Sequence, residues 1–152
     1  MKHELNLYIQ HSESDVSIYS VTGHDPLSGE VTKAISATHS PLVLVASGDK
    51  DASTLDDLFL LMQQLYRPLM RKRGCQFWVY WEAKGCTTLQ KGAQALCQIS
   101  AMELAGKKAR INFLHGDQSF TQEDYMKLTE LAGVEYLTAQ SLNWVQTLES
   151  SL

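Results

Sequence analysis

Apolar and polar residues alternate loosely from Leu5 to Ile9, and a second β-prone run, Val16 to Val21, leads into Thr22-Gly23. The polar stretch His11 to Asp15 between them predicts a turn, so the two runs can form a hairpin. Ser28 to His39 predicts a short helix with Val31, Ala34 and Ile35 on one face. Pro41 follows, and Leu42 to Ala46 is a continuous apolar run of buried-strand length. Beyond Gly48-Asp49-Lys50-Asp51 a longer helix begins. Ser53 or Thr54 suits its cap, Asp56 and Asp57 suit its positive end, and Leu55, Leu58, Phe59, Met62 and Leu65 form a stripe at helical spacing. Arg71-Lys72-Arg73 followed by Gly74 is a helix C-terminal signature, and Pro68 is expected to kink the helix or split off its last turn.

The second half continues the alternation. Phe77 to Trp81 is aromatic and β-prone, then come a helix from about Leu89 to Ala105, a strand from Ala109 to Leu114, a helix from about Gln122 to Leu131 and a last strand around Glu135 to Trp144. Strands alternating with helices predict an α/β domain with a mostly parallel sheet of five to six strands. With no internal repeat or linker, residues 1–152 read as a single domain.

Composition narrows the class. A chain of 152 residues can bury ~68–70% of its unfolded surface, and 44% hydrophobic with 20% charged residues is ordinary for a globular protein. A formal net charge of −4 argues against nucleic acid or a membrane surface as partner. No apolar run approaches the ~20 residues of a membrane span, and the first residues lack a signal-peptide core. Three cysteines without a CxxC pair fit reduced thiols, and neither they nor the five histidines show metal-ligand spacing. The expectation is a cytoplasmic protein without a metal.

The most informative stretch is residues 86–112, CTTLQKGAQALCQISAMELAGKKARIN. It resembles the helix and strand that follow the active-site tyrosine of short-chain dehydrogenases/reductases: a small-residue helix ending in Glu103-Leu104-Ala105, then a strand ending in Ile111-Asn112. Arg67 to Gly74 resembles the end of the family's central interface helix. Thr121 to Leu131 resembles the helix before its last strand, and Glu135 to Asn143 resembles that strand. The four segments occur in family order and touch roughly half the chain. The resemblance implies a Rossmann-like, doubly wound fold. It would be shortened at the N-terminal cofactor half, and Glu135 follows Gly116 by only 19 positions where the family has a substrate lid.

What the resemblance implies about chemistry is mostly loss. Aligned on the Tyr-x-x-x-Lys motif, the tyrosine position holds Cys86 and the lysine position Gln90. The serine position falls at Glu82, and the asparagine position at Thr54 or Leu55. Lys91 is one residue late, a swing of ~100° around a helix, and shifting the register to restore it puts Thr87 in place of the tyrosine. A phenol with a pKa near ~10 needs the missing cation to work near neutrality. Val21 to Gly29 is similar to the family's Thr-Gly-x-x-x-Gly-x-Gly phosphate loop: Thr22, Gly23 and Gly29 are kept and Leu27 replaces the middle glycine. In such loops the first glycine makes the turn, the second admits the pyrophosphate and the third lets helix pack on strand. Pro26 removes a donor nearby. A second alignment makes Leu42–Ala46 the family's second strand, with Asp49 as the ribose-binding acid.

Other chemistry has weaker support. Cys86 near a helix start suits either a reactive thiol or an ordinary small residue. His115, at the family's Pro-Gly turn, is expected to be a loop residue, and Asp117, Glu123 and Asp124 solvated or helix-start acids. Trp78, Tyr80 and Trp81 suit core or rim positions. Gly92, Ala93, Ala95, Ser100 and Ala101 suit either a close helix contact between subunits or packing on the protein's own sheet. The expected function is a catalytically inactive relative acting through oligomerisation, as a homo-oligomer or with a full-length reductase of the family, and without cofactor. Its rivals are a reduced NAD(P)-dependent oxidoreductase completed by a partner subunit and a small-ligand-binding regulatory module.

Overall fold

A computed structural model of the chain describes residues 3–72, 75–82, 87–104, 110–131 and 141–143. The loose alternation at the start becomes β1 (Glu4–Ser12), which sends Leu5, Leu7 and Ile9 to one face of the sheet and Tyr8 to the other. A tight turn leads to β2 (Asp15–Val21), and α1 (Gly29–Ala37) carries the chain over to β3 (Leu42–Ser47). Then come α2 (Ala52–Arg71), β4 (Gln76–Glu82), α3 (Thr87–Leu104), β5 (Arg110–Gly116), α4 (Gln122–Leu131) and β6 (Ser141–Asn143). The predicted hairpin, helices and strands are all present, with β5 running to Gly116, past the expected strand end at Leu114. The expected last strand is described only at its Ser141–Asn143 core.

The sheet is open and mixed, in the order β2-β1-β3-β4-β5-β6. β3, β4, β5 and β6 are parallel neighbours, while β1 is antiparallel to both β2 and β3. This α/β arrangement is compatible with a Rossmann-like fold, with one difference from the expected doubly wound form. The strand that runs into Thr22-Gly23 lies at the sheet edge, because the hairpin inserts β1 between it and β3.

Helices cover both faces, unevenly. Leu5, Leu44, Val79 and Phe113 share one core with Ile35 of α1, Leu58, Met62 and Leu65 of α2, and Ala93 and Cys97 of α3. On the opposite face Val43, Val45, Trp78, Tyr80 and Leu114 meet Phe120 and the α4 residues Tyr125 and Leu128. β3 and β4 are therefore apolar on both sides, which explains their uninterrupted hydrophobic runs. Trp78, Tyr80 and Trp81 are each about 1% exposed and belong to the core rather than to a rim.

Two helix ends differ from expectation. α2 is capped by Asp51, not by Ser53 or Thr54: the Asp51 carboxylate accepts the Ser53 N–H at 2.9 Å, and Thr54 Oγ1 accepts the Asp51 N–H at 3.0 Å. The reciprocal pair satisfies donors that a single serine cap would leave open. The helix then runs through Pro68 to Arg71 without splitting; Pro68 sits in the last turn, where its own carbonyl accepts the Lys72 N–H at 3.1 Å. Among the described residues no helix is long and apolar enough to cross a membrane.

The aromatic side of the sheet is tied by its polar tips. Tyr8 stacks on Tyr125 at 5.9 Å and meets the edge of Phe120 at 5.3 Å. The Tyr125 hydroxyl donates to the Pro41 carbonyl at 2.7 Å, and burial pushes its pKa up to about 12. Tyr125→Phe leaves that carbonyl without its donor and is expected to lower unfolding free energy by about 1 kcal/mol in urea titration. An unchanged midpoint would mean that α4 does not depend on this anchor.

Candidate functional site

In open α/β sheets ligands collect at the carboxyl ends of the strands. Here the antiparallel hairpin changes what stands there. The register Leu5↔Val21 and Glu4↔Ser47 puts the start of β1 beside the ends of β2 and β3. Next to them is the N-terminal turn of α2. A cavity of about 530 Å³ opens between these elements, lined among others by His3, Glu4, Thr22, His24, Asp51 and Asp57.

Asp57 organises this corner. Its side chain is 8% exposed, with Oδ2 2.8 Å from His3 Nε2. Oδ1 accepts the Thr22 hydroxyl at 2.9 Å and the Gly23 backbone N–H. Burial alone would raise the Asp57 pKa, but the hydrogen bonds from Gly23, His3 and Thr22 outweigh it and hold the carboxyl below its ordinary value. Asp51 is also held low, first by its Ser53 hydrogen bond.

The loop resembling a phosphate cradle is bound to the protein itself. Asp57 takes the Gly23 N–H. Gln64 of α2 accepts the Leu27 N–H at 2.9 Å and donates to the Gly23 and Asp25 carbonyls at 3.0 and 2.8 Å. The His24 N–H goes to the Thr22 hydroxyl at 3.2 Å, and Ser28 caps α1 through the Val31 N–H. Leu27, at the position of the missing glycine, packs against the core. The Gly23, His24 and Leu27 backbone donors of this loop are thus engaged by internal acceptors, one of them a carboxylate.

The glycine roles also differ from those implied by the resemblance. A Cβ on Gly23 would lie 2.4 Å from the Asp57 carbonyl oxygen, 2.6 Å from Leu60 Cβ and 2.6 Å from the Leu61 nitrogen. Gly23 is therefore the residue that allows close packing, and the helix it meets is α2. Gly29, expected to pack helix on strand, has open space around it.

The remaining candidates disperse. Thr54 is fully buried and serves the α2 cap. Leu55 is half-buried and packs against α3, where a Cβ on Gly92 would come within 3.0 Å of it. Glu82 ends β4, 4% exposed, and its carbonyl accepts from Lys50 Nζ, which also lies 5.2 Å over the Trp81 ring. Gln90 is half-buried and Lys91 exposed, both near the start of α3. Cys86 lies outside the described residues, as does the side chain of Thr87. His115 is half-buried in β5; burial lowers its pKa, with Asp117 opposing. Asp124 accepts from Thr121 at the start of α4, as expected of a helix-start acid. Burial pushes the Cys75 and Cys97 thiols up to about 11 and about 12, which suits inert core residues.

No protein-family model and no curated protein matches the chain. The site therefore has to be understood from its own residues. Sequence reasoning gave Asp57 only the role of an acid that suits the positive end of α2 and did not single out Gln64 or His3. A signal for Asp57 existed: it follows Thr54 by three residues and precedes Leu61 by four, the phase of the buried face.

Two measurements test this corner. Gly23→Ala is expected to cost about 1–3 kcal/mol, since backbone atoms must move, while Gly29→Ala stays neutral or gains a few tenths; equal effects in urea unfolding would contradict the packing described. Because the folded-state pKa of Asp57 lies below its unfolded value, its contribution is present above the ordinary carboxylate range and is lost as pH falls through the lowered value. Stability should fall below about pH 4, and Asp57→Asn, costing roughly 1–3 kcal/mol near neutrality, should flatten that fall.

Proposed function

We propose that the chain is a non-catalytic α/β protein, related to short-chain dehydrogenases/reductases, that works by self-association through the outer face of α2 and α3. One observation carries this reading. The large hydrophobics exposed among the described residues are Ile18, Phe59, Met70, Ile99 and Met102, and four of these five lie on α2 and α3. Phe59 and Met70 are eleven residues apart, about 20° on a helix wheel, and Ile99 and Met102 are one turn apart. The two helices touch through Leu55 with Gly92 and Tyr66 with Ser100, and Phe59 and Met70 lie one turn beyond Leu55 and Tyr66 on α2, beside that contact. Exposed apolar surface of this kind marks association sites.

The small residues do not form that surface themselves. Ala93, Ser100 and Ala101 are buried and Gly92 packs on Leu55, so all four serve the chain's own helix layer; Ala95 remains exposed. The proposed kinship rests on four segments between Arg67 and Asn143; the N-terminal hairpin and the mixed sheet depart from the family pattern. A full-length reductase of that family remains the alternative partner.

Sedimentation velocity should find the wild type associated at about 100 µM, and the double variant Ile99→Glu/Met102→Glu should weaken association at least about tenfold, or 1.4 kcal/mol, with an unchanged circular dichroism spectrum. A monomeric wild type overturns the proposal. The oxidoreductase rival requires NADH or NADPH binding tighter than about millimolar, roughly −4 kcal/mol; calorimetry is expected to find none, given the engaged Gly23, His24 and Leu27 donors and Cys86 and Gln90 at the positions aligned with the family's tyrosine and lysine. The ligand-module rival draws on the cavity beside Asp57, whose volume lies within the ~300–1,000 Å³ typical of small-molecule sites.

A further inference from the structure

β2 is the outermost strand on its side of the sheet. Its inner edge pairs with β1 from Leu5↔Val21 to Ser12↔Asp15, and no described segment pairs with its outer edge. Such an edge is a row of N–H and C=O groups that templates another strand. Proteins usually blunt it with lysine, proline, an inward charge or a bulge. The sequence Asp-Val-Ser-Ile-Tyr-Ser-Val carries one charge, at its first position, and no proline or lysine. The irregularity in the β1–β2 pair falls at the hairpin end, between Gln10 and Ser12.

Each face of this edge offers something to a neighbour. On the α1 side a trough of about 530 Å³ separates strand from helix, walled by Ser17 and Tyr19 on β2 and by Glu30, Lys33, Ala34 and Ala37 on or at the end of α1. On the other side Ile18 is 44% exposed, the one large exposed hydrophobic among the described residues outside α2 and α3.

We propose that the outer edge of β2 pairs antiparallel with β2 of a second copy of this chain, about a two-fold axis at Ile18. Ile18 is the midpoint of Asp15–Val21, so all seven residues find a partner. Ile18 meets its own counterpart on one face, and Ser17 stands opposite Tyr19 of the other copy in the trough. The two-fold axis also sets the α1 helices antiparallel, three strand spacings or roughly 14 Å apart. That reverses the order of Glu30 and Lys33, so each carboxylate faces an ammonium of the other copy across the trough, while Ala34 and Ala37 leave room. This self-complementary charge pattern selects a second copy over an arbitrary extended peptide. The interface is separate from the α2/α3 face, so both can form at once.

Cross-linking tests the pairing directly. Opposed residues in an antiparallel pair have Cα atoms roughly 4.5–5.5 Å apart, within disulfide reach. In a Cys86→Ser background, Ile18→Cys treated with diamide should give a covalent dimer, and Lys127→Cys on the exposed side of α4 should not. Ile18→Lys should weaken self-association at least tenfold in sedimentation while leaving the circular dichroism spectrum intact, because the side chain is exposed. The cross-link should persist in the Ile99→Glu/Met102→Glu variant, which separates this interface from the one on α2 and α3. Absence of the Ile18→Cys cross-link in folded protein, or equal cross-linking at Lys127→Cys, overturns the proposal.

Discussion

The Asp57 carboxylate holds the carboxyl edge of this sheet together. It receives His3 from the start of β1, Thr22 and Gly23 from the end of β2, and it projects from the first turns of α2. Three segments far apart in sequence thereby share one buried anion, and Gln64 one helical stretch later fixes the rest of the loop. A buried carboxylate is tolerable only when its lone pairs are satisfied, and here backbone, hydroxyl and imidazole donors do so together. The same carboxylate that is stabilised by these bonds also engages the Gly23 N–H and the Thr22 hydroxyl, so one group serves stability and fixes the start of the loop.

Around that corner the sheet is divided by its two faces. Among the described residues, three helices and a mostly aliphatic layer occupy one side, while one helix and an aromatic layer with hydroxyl anchors occupy the other. The small residues of α3 are used inside the chain, where Gly92 admits Leu55 and Ser100 accepts the Tyr66 hydroxyl. What remains outside is a larger apolar surface, Phe59, Met70, Ile99 and Met102, whose burial by a partner would remove the main unsatisfied hydrophobic area among the described residues.

Much of the fold was legible in the chain. Alternation at Leu5–Ile9, the aliphatic run Leu42–Ala46, the stripe Leu55–Leu65 and the segment Gln122–Leu131 each correspond to an element, because period and burial are set locally by which faces must leave water. The candidate site was legible only in part. Thr22, Gly23 and Leu27 do lie in a strand–loop–helix turn, yet Gly23 packs on α2 and Gly29 packs on nothing. A glycine's reason depends on which backbone comes close, and that backbone is thirty-four residues or more away in the chain.

Element type and order followed from the residues alone, since periodicity requires no neighbours to be recognised. Strand order, the antiparallel insertion of β1 between β2 and β3, the inward turn of Asp57 and the exposure of Ile18, Ile99 and Met102 were decided by tertiary structure. These depend on long-range pairing and on which apolar side chains run out of partners once the core is filled, and no local pattern encodes either.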